Sequence, residues 1–576
     1  MITRKIVTAI KGWVREPISK VAEVNPVTTL PPTELDNLAV PFYEMAAIDE
    51  YSGKLRDAAI VPLRDCRTGK TKFQNGDVLF AKITPCVQNR KSALVNGLPG
   101  NFACGSSEFY VLRPGKGVMP EYLFYFIRQE RVIHAAVESF IGTSGRQRVP
   151  RTFWDRLEIP LPPLPVQERI VEILRKADEI RRKRKEALEL ADKILPALFL
   201  EMFGDPATNP KGYEKTTIGK VASMVTSGYT PPGGARNYVQ DGPLLLRSQN
   251  IKMLSMDLSD CAHLPEAIFN EMERVHVQVG DVLMNITGKG TAGRVTWVAD
   301  PDLRAAVNQH VCIIRCNQEK VMAPFLAILL SMPHYQAIIE RAPGSTQTGF
   351  NHSKVRGLEI VIPPMPVQSS FVAQVAALNE AAQKLRIASE DAEKSFSSLM
   401  FRAFTGELTA EWESANAEWI AAQQALYERL PRLLILALVA EKAKRARRSA
   451  EVFVTALMKY LFLVQMESTS TRRRFYHFVP YHYGPFAKEL YSDLEKLQEE
   501  GVVTVESDTN EEKTRITLSD PVRAEELLAE VPDDLKEDVT AILDAYGDLD
   551  HNTLLKTVYE KHPAYAKKSR LRKRKK

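Results

Sequence analysis

The chain contains the same unit twice, and nothing else in its sequence narrows the possible folds so much. Trp13-Val-Arg-Glu-Pro-Ile-Ser-Lys-Val-Ala22 aligns with Tyr213-Glu-Lys-Thr-Thr-Ile-Gly-Lys-Val-Ala222 at an offset of 200 residues. Gly76-Asp-Val-Leu79 matches Gly280-Asp-Val-Leu283, and Val118, Met119 and Leu123 match Val321, Met322 and Leu326. Leu157-Glu-Ile-Pro-Leu-Pro-Pro-Leu-Pro-Val-Gln167 then matches Leu358-Glu-Ile-Val-Ile-Pro-Pro-Met-Pro-Val-Gln368 at an offset of 201. The offset drifts through the middle of each copy and then locks, as small loop insertions would make it do. Residues 1 to about 205 and 206 to about 410 are therefore two copies of one unit.

From the Pro-rich segment onward the register is constant. Ile170, Leu174, Ala177, Leu195 and Leu198 pair with Phe371, Val375, Leu378, Phe396 and Leu399, at the three- and four-residue steps of a helical seam. Pro165 to Phe203 and Pro366 to Phe404 read as twin long helices, each opened by proline in its first turn, with Pro196 set to kink the first. Either helix alone would expose an apolar stripe, so mutual packing, most simply antiparallel, is expected. Ahead of each lies a mixed α/β globule. Strand-like runs Asp77–Ile83, Phe109–Arg113 and Asp281–Ile286 accompany a helical stretch at Pro120–Arg131.

Composition excludes several classes. Of 576 residues, 44% are apolar and 26% charged, with a net charge of +6, as in an ordinary globular protein of several domains. Six cysteines without a C-x-x-C pair predict a reduced, cytoplasmic protein. Cys312 and Cys316 fall on one face of a strand and read as core packing rather than as metal ligands. Lys11 interrupts any signal-peptide core, and the longest apolar run, Leu433–Ala440, is too short to span a membrane. Gly288-Lys-Gly-Thr-Ala-Gly293 satisfies G-x-G-x-x-G, but the strand-like Arg294–Val298 follows it where a dinucleotide loop needs a helix, so a hairpin turn is expected. No Walker motif, no Asn-Pro-Pro-aromatic tetrad and no H-E-x-x-H or H-x-H pattern occurs.

Two similar globules on a helical pair suit a bipartite DNA site. A helix of roughly 36 residues spans ~54 Å, which at ~3.4 Å per base pair caps the gap between two DNA contacts near ~16 base pairs. The framework repeats while the loops differ: Thr143-Ser-Gly-Arg-Gln-Arg-Val149 is set opposite Gln347-Thr-Gly-Phe-Asn-His-Ser353. Variable loops on a constant scaffold are where specificity resides.

The tandem Gly-Asp-Val-Leu, the Leu-Glu-Ile-Pro-Leu-Pro-Pro-Leu-Pro-Val-Gln segment and the long helices ending in Leu-Phe-Leu-Glu-Met-Phe-Gly or Leu-Met-Phe-Arg-Ala-Phe-Thr-Gly resemble the specificity subunit of type I restriction-modification systems. The resemblance covers residues 1 to about 410. It implies an α/β fold class with two tandem target-recognition domains (1–160 and 206–362) separated by long antiparallel coiled-coil spacer helices (161–205 and 363–410). It also implies a non-catalytic chain that binds double-stranded DNA and docks two methyltransferase subunits and the restriction/translocase subunits. No cofactor is expected on this chain; S-adenosylmethionine, ATP and Mg belong to the partner subunits.

Arg reads guanine, and Asn and Gln read adenine, through paired hydrogen bonds. The candidates in the first recognition domain are Lys82, Thr84, Gln88, Asn89, Arg90, Arg146, Gln147 and Arg148. In the second they are Arg236, Arg247, Gln249, Asn250, Lys289, Arg294, Gln347, Asn351, His352 and Lys354. The loops 142–149 and 344–354 are the strongest groups, and some members will touch only phosphate. Arg181-Arg-Lys-Arg-Lys185 on the first long helix reads as a solvated face, with phosphate tracking as its alternative.

The pattern ends near Leu408. A linker with Trp412 and Trp419 is expected to lead to a helix at Leu430–Glu441, a basic turn at Lys442–Arg448 and a second helix through Phe453, Leu457, Leu461 and Val464. An amphipathic helix at Glu489–Glu500 precedes strands Val502–Glu506 and Thr514–Leu518, a winged-helix-like outline in a mostly α region. The Tyr-Gly-Pro segment within Phe475–Phe486, the Leu-x-x-Leu-x-x-Glu-Gly-Val-Val run and Tyr546–Tyr559 are similar to the Panacea (SocA-like) domain. This divides the remainder into a linker and helix (411–450), a Panacea-like domain (451–566) and a basic tail (567–576). His477 and His482 read as core histidines, and the tail either contacts phosphate or solubilises the chain. A regulatory or antitoxin-like protein that reuses the split-site reader is the alternative to the restriction-modification reading.

Overall fold

A computed structural model describes residues 12–28, 30–99, 102–143, 145–288, 290–341, 350–445, 451–468, 475–506 and 514–566. The chain forms two compact units, Met1–Arg182 with Ala392–Lys576, and Lys183–Asp391. Both boundaries fall inside the long helices, Leu164–Phe203 and Met365–Thr405.

In the first unit, a sheet with strand order Ala22–Val24, Phe109–Pro114, Val78–Ala81, Ser92–Leu94 carries the main core of the N-terminal α/β globule. A second sheet, ordered Ala59–Pro62, Ala39–Tyr43, Ala103–Gly105, Thr71–Phe73, packs beside it. The helical stretch divides into Pro120–Ile127 and Glu130–Glu138.

The Gly-Asp-Val-Leu motif is structural. Gly76 holds a φ of 80°, a left-handed conformation that a Cβ would disfavour. The Asp77 carboxylate then accepts the Gln74 amide at 2.9 Å and both arms of the Arg113 fork at 2.8 and 2.7 Å. The Pro-Val-Gln motif is structural too. Gln167 accepts from the Met119 amide at 3.0 Å and donates to the Gly117 and Pro162 carbonyls at 2.9 Å, latching the long helix to the globule.

The second unit repeats this frame. Strands Ala222–Ser227, Val311–Cys316, Asp281–Asn285 and Val295–Trp297 form a sheet of the same order. Gly280 has φ 83°, Asp281 takes the Gln278 amide and the Arg315 fork at 2.8 Å, and Gln368 takes the Met322 amide at 2.9 Å. The glycine-rich 288–293 segment joins two antiparallel strands, a hairpin and not a dinucleotide loop.

The structure corrects the loop alignment. Val149 donates to the carbonyl of Lys82, and Phe350 donates to that of Ile286, so Val149 corresponds to Phe350 and not to Ser353; residues 342–349 lie outside the described residues. Loop sequences without shared residues could not hold the register by themselves.

The long helices form where their spacing predicts. In the first unit, Val166, Ile170 and Leu174 share a core with Met400, Ala403 and Phe404, and the Phe404 ring lies 4.9 Å from Tyr122. In the second, Phe199 and Phe203 meet Phe371 at 5.7 and 5.0 Å. Pro196 lies inside its helix.

Two cysteines depart from expectation: Cys66 and Cys104 are joined as a disulfide across 38 residues, with Cα atoms 6.0 Å apart. The parallel pairing of Ala39–Tyr43 with Ala103–Gly105 and the small core of Val40, Leu63, Cys66, Phe102 and Cys104 bring them together. No spacing motif announces such a pair. Cys312 and Cys316 lie in the core of the second unit, where burial pushes both thiols up to about 12.

The C-terminal region differs from its expected outline at its start. The linker is helical, with Ala410–Ala415 followed by Ala417–Arg445, and Trp412 and Trp419 meet edge to face at 5.8 Å. The expected basic turn begins as the last turn of that helix, where Lys442, Lys444 and Arg445 suit the negative end of the dipole; residues 446–448 lie outside the described residues. Helices Val454–Glu467 and Glu489–Glu499 form as read. Strands Val503–Glu506 and Arg515–Leu518 pair antiparallel, and Val452–Phe453 joins them. Leu430–Val439 shares one core with residues 452–558, so the long helix is built into this region. No helix among the described residues is long and apolar enough to cross a membrane.

Candidate nucleic-acid interface

One end of each central sheet continues into the variable loops. In the first unit the Lys82 amide donates to the Glu108 carbonyl at 2.9 Å, the Thr84 amide to Gln147 at 3.1 Å and the Val149 amide to Lys82 at 2.8 Å. This backbone zipper joins residues 82–84 to 147–149, which brings Lys82, Thr84, Gln147 and Arg148 together, with Gln88 reaching back to Thr84. Gln88, Asn89, Arg90 and Arg146 are exposed, and Lys82, Thr84, Gln147 and Arg148 are half-buried. Arg148 forks onto Glu108 at 2.9 and 2.8 Å, which holds the Glu108 carboxyl below its ordinary range. Gln88 donates to Thr84 Oγ1 at 2.9 Å, and Arg90 stands 3.9 Å from Glu130. Arg148 is thus oriented by an internal partner, while Asn89 and Arg146 extend into solvent beside Gln88.

The equivalent end of the second unit has different chemistry. The Ile286 amide donates to the His310 carbonyl at 3.0 Å and the Phe350 amide to Ile286 at 2.9 Å, so His310 occupies the place of Glu108. Thr287 Oγ1 lies 2.6 Å from His310 Nδ1, and Gln309 lies beside the His310 ring and accepts from Thr230. Sequence reading missed Thr230, Thr287, Gln309 and His310. The usable signal was the polar run Asn308-Gln-His310 immediately before a strand.

The second-domain candidates divide. Arg236 is exposed in the turn Gly234–Asn237. Arg247 donates to the Asp260 carbonyl and Gln249 to its carboxylate, each at 2.8 Å. Asn285 ties this loop to the sheet through the Ser248 carbonyl at 2.8 Å. Asn250 is a correction: it is 2% exposed, accepts the Arg247 amide at 3.0 Å and donates to the Asp257 and Asp260 carbonyls at 3.0 and 3.2 Å. It shapes the loop and offers nothing to a duplex. Arg294 is half-buried behind the hairpin turn. Asn351 is not a loop residue but the N-cap of helix His352–Gly357, accepting the Lys354 amide at 3.0 Å; His352 and Lys354 are exposed on that helix. Lys289 and Gln347 lie outside the described residues.

The basic run on the first long helix is not a solvated face. Arg181, with a side chain 8% exposed, bonds Asp178 at 2.7 Å, Glu393 at 3.1 Å and the Tyr51 carbonyl at 3.0 Å. Its guanidinium lies 4.3 Å from both the Tyr51 and Phe396 rings. Arg184 donates to the Ala388 carbonyl at 2.6 Å. These residues hold helices together, and only Lys183 and Arg184 of the run are exposed.

Charge separates the regions. Between 489 and 566 acidic residues outnumber basic ones three to one, a local field that repels phosphate. His477 is exposed, which corrects its reading as a core residue, and His482 is half-buried. The tail 567–576 lies outside the described residues. Among the described residues, no group of three His, Cys, Asp or Glu could hold a metal ion.

Two copies of one α/β frame with unlike polar tips define a tandem-repeat α/β protein. Residues 10–190 match the type I restriction modification DNA specificity domain. The chain is 29% identical to the EcoAI specificity subunit of Escherichia coli, over 32% of this chain and 32% of that protein. It is 21% identical to the StySPI specificity subunit of Salmonella potsdam, over 76% of this chain and 98% of that protein. The match thus spans about a third of the length of the EcoAI subunit. The crystal structure of the HsdS subunit from Thermoanaerobacter tengcongensis covers 71% of this chain and 100% of its own, with 20% identity and a TM-score of 0.36. The likeness of this chain to type I specificity subunits is well supported in sequence, and specificity subunits of such systems are non-catalytic DNA-recognition subunits.

Proposed function

We propose that this chain is the DNA sequence-specificity subunit of a type I restriction-modification complex. The observation that carries the reading is the duplicated frame, whose two tips present different donors and acceptors at equivalent positions. In the first tip Glu108 and Arg148 frame the surface; in the second, Thr287 and His310 do so. Each tip reads one half of an asymmetric split site, with paired hydrogen bonds to base edges supplying discrimination and neighbouring cations holding phosphate.

The two long helices act as an antiparallel coiled-coil spacer that sets the gap between the half-sites. They also dock two methyltransferase subunits, and restriction/translocase subunits join these. S-adenosylmethionine, ATP and Mg are used on those partners, in the cytoplasm, and this chain contributes recognition alone.

The test is a base-resolution adenine-methylation map of the native host with and without the gene. Loss of methylation at one split motif in the deletion strain is the expected result. Unchanged methylation at every motif would contradict the proposal.

A further inference from the structure

Within the first unit, the recognition core and the C-terminal region line a half-open cavity of about 430 Å3. Its position is informative. Strand Phe109–Pro114 meets the loop surface at Phe109 and the cavity at Pro114, so the cavity lies at the opposite end of the strand from the candidate DNA contacts. A ligand there would not compete with DNA.

The walls differ in chemistry. The recognition side supplies Lys20, Lys116 and the acidic Glu23; Lys20 also pairs with Glu16 at 3.0 Å on the exposed surface, and the Arg113 charge is matched by Asp77. The C-terminal side supplies the rings of Phe478 and Tyr565. His562, 7% exposed, also lines the cavity, with its Nε2 3.7 Å from the Glu467 carboxylate. Lysines on one wall and aromatic faces on the other suit an anion that carries a flat ring. The volume falls within the ~300–1,000 Å3 usual for small-molecule sites, which favour domain junctions.

We propose that this cavity binds a small nucleotide, its phosphate toward Lys20 and Lys116 and its base against Phe478 and Tyr565. Bound there, it bridges the recognition core and the C-terminal region and stabilises their association by mass action. The inference does not depend on the DNA reading.

Calorimetric titration of the full chain with AMP, ATP and inorganic phosphate tests it. AMP or ATP is expected to bind with a dissociation constant at or below ~1 mM, and Lys116→Glu to weaken binding at least about tenfold. Because Lys116 also lies over the Tyr476 ring at 5.6 Å, Lys20→Glu provides a second variant at a side chain 67% exposed. The same weakening is expected there, with an unchanged melting curve in the absence of ligand. Failure of both nucleotides to bind, binding indifferent to both substitutions, or phosphate binding as tight as AMP would each overturn the proposal.

Discussion

The two recognition regions agree where the chain must fold and differ where it would meet DNA. Both use a left-handed glycine, a buried aspartate on a cross-strand arginine and a glutamine latch at the head of a long helix. At the sheet ends, the first region carries Glu108 with Arg148 where the second carries His310 with Thr287. Conserving the frame between copies while changing the tips permits two independent specificities on one scaffold.

The aspartate–arginine pair offers the strongest way to break the likeness. Asp77 is fully buried and the Arg113 side chain is 9% exposed, whereas Arg315 opposite Asp281 is 25% exposed. Removing one member of a buried pair leaves a charge without compensation, at about 3–5 kcal/mol. Asp77→Ala is expected to cost that much, and Asp281→Ala less, because water can reach Arg315. Denaturant melts of the intact variants measure the difference, and equal losses would show that exposure does not govern it.

A control lies outside both copies. Lys459 is 1% exposed, donates only to the Thr455 carbonyl of its own helix at 2.8 Å, and is lowered by burial to about 7. A folded-state value below the unfolded 10.5 means that the unfolded chain binds more protons between pH 7 and 10.5, so stability rises with pH across that window. Lys459→Met should raise the melting temperature of the C-terminal region at pH 7, by an effect of up to a few kcal/mol, and change it little above pH 10.5. A gain independent of pH would point to packing instead. Neither recognition region should respond.

The glutamine latches sharpen the comparison at smaller amplitude. Gln167→Ala and Gln368→Ala each leave a buried amide and carbonyls unsatisfied, at about 1–3 kcal/mol. Similar losses in the two variants, read from thermal melts, are expected from geometries this alike.

The frame was legible because repeats expose it: glycine, aspartate and glutamine recur at positions where backbone conformation and buried hydrogen bonds leave little choice. The tips were legible only as segments. Asn250 looked like an adenine reader, yet the same amide chemistry serves to close a turn, and only burial separates the two uses. His310 and Gln309 were overlooked because nothing in their spacing distinguishes a strand entrance from an ordinary surface run. Arg181 belonged to a basic stretch whose charge implied solvent, while Tyr51, which flanks it, is far away in sequence. Cys66 and Cys104 meet through strand pairing alone.

The central claim is that each tip reads its own half of one split site. Methylation should be mapped in the native host carrying the chain with alanine at Gln88, Asn89 and Arg146, and separately with alanine at Thr230, Gln309 and His310. The account predicts that the first set relaxes or abolishes recognition in one half of the motif only, and the second set in the other half only. Changes in both halves from either set, or in neither from both, would contradict it.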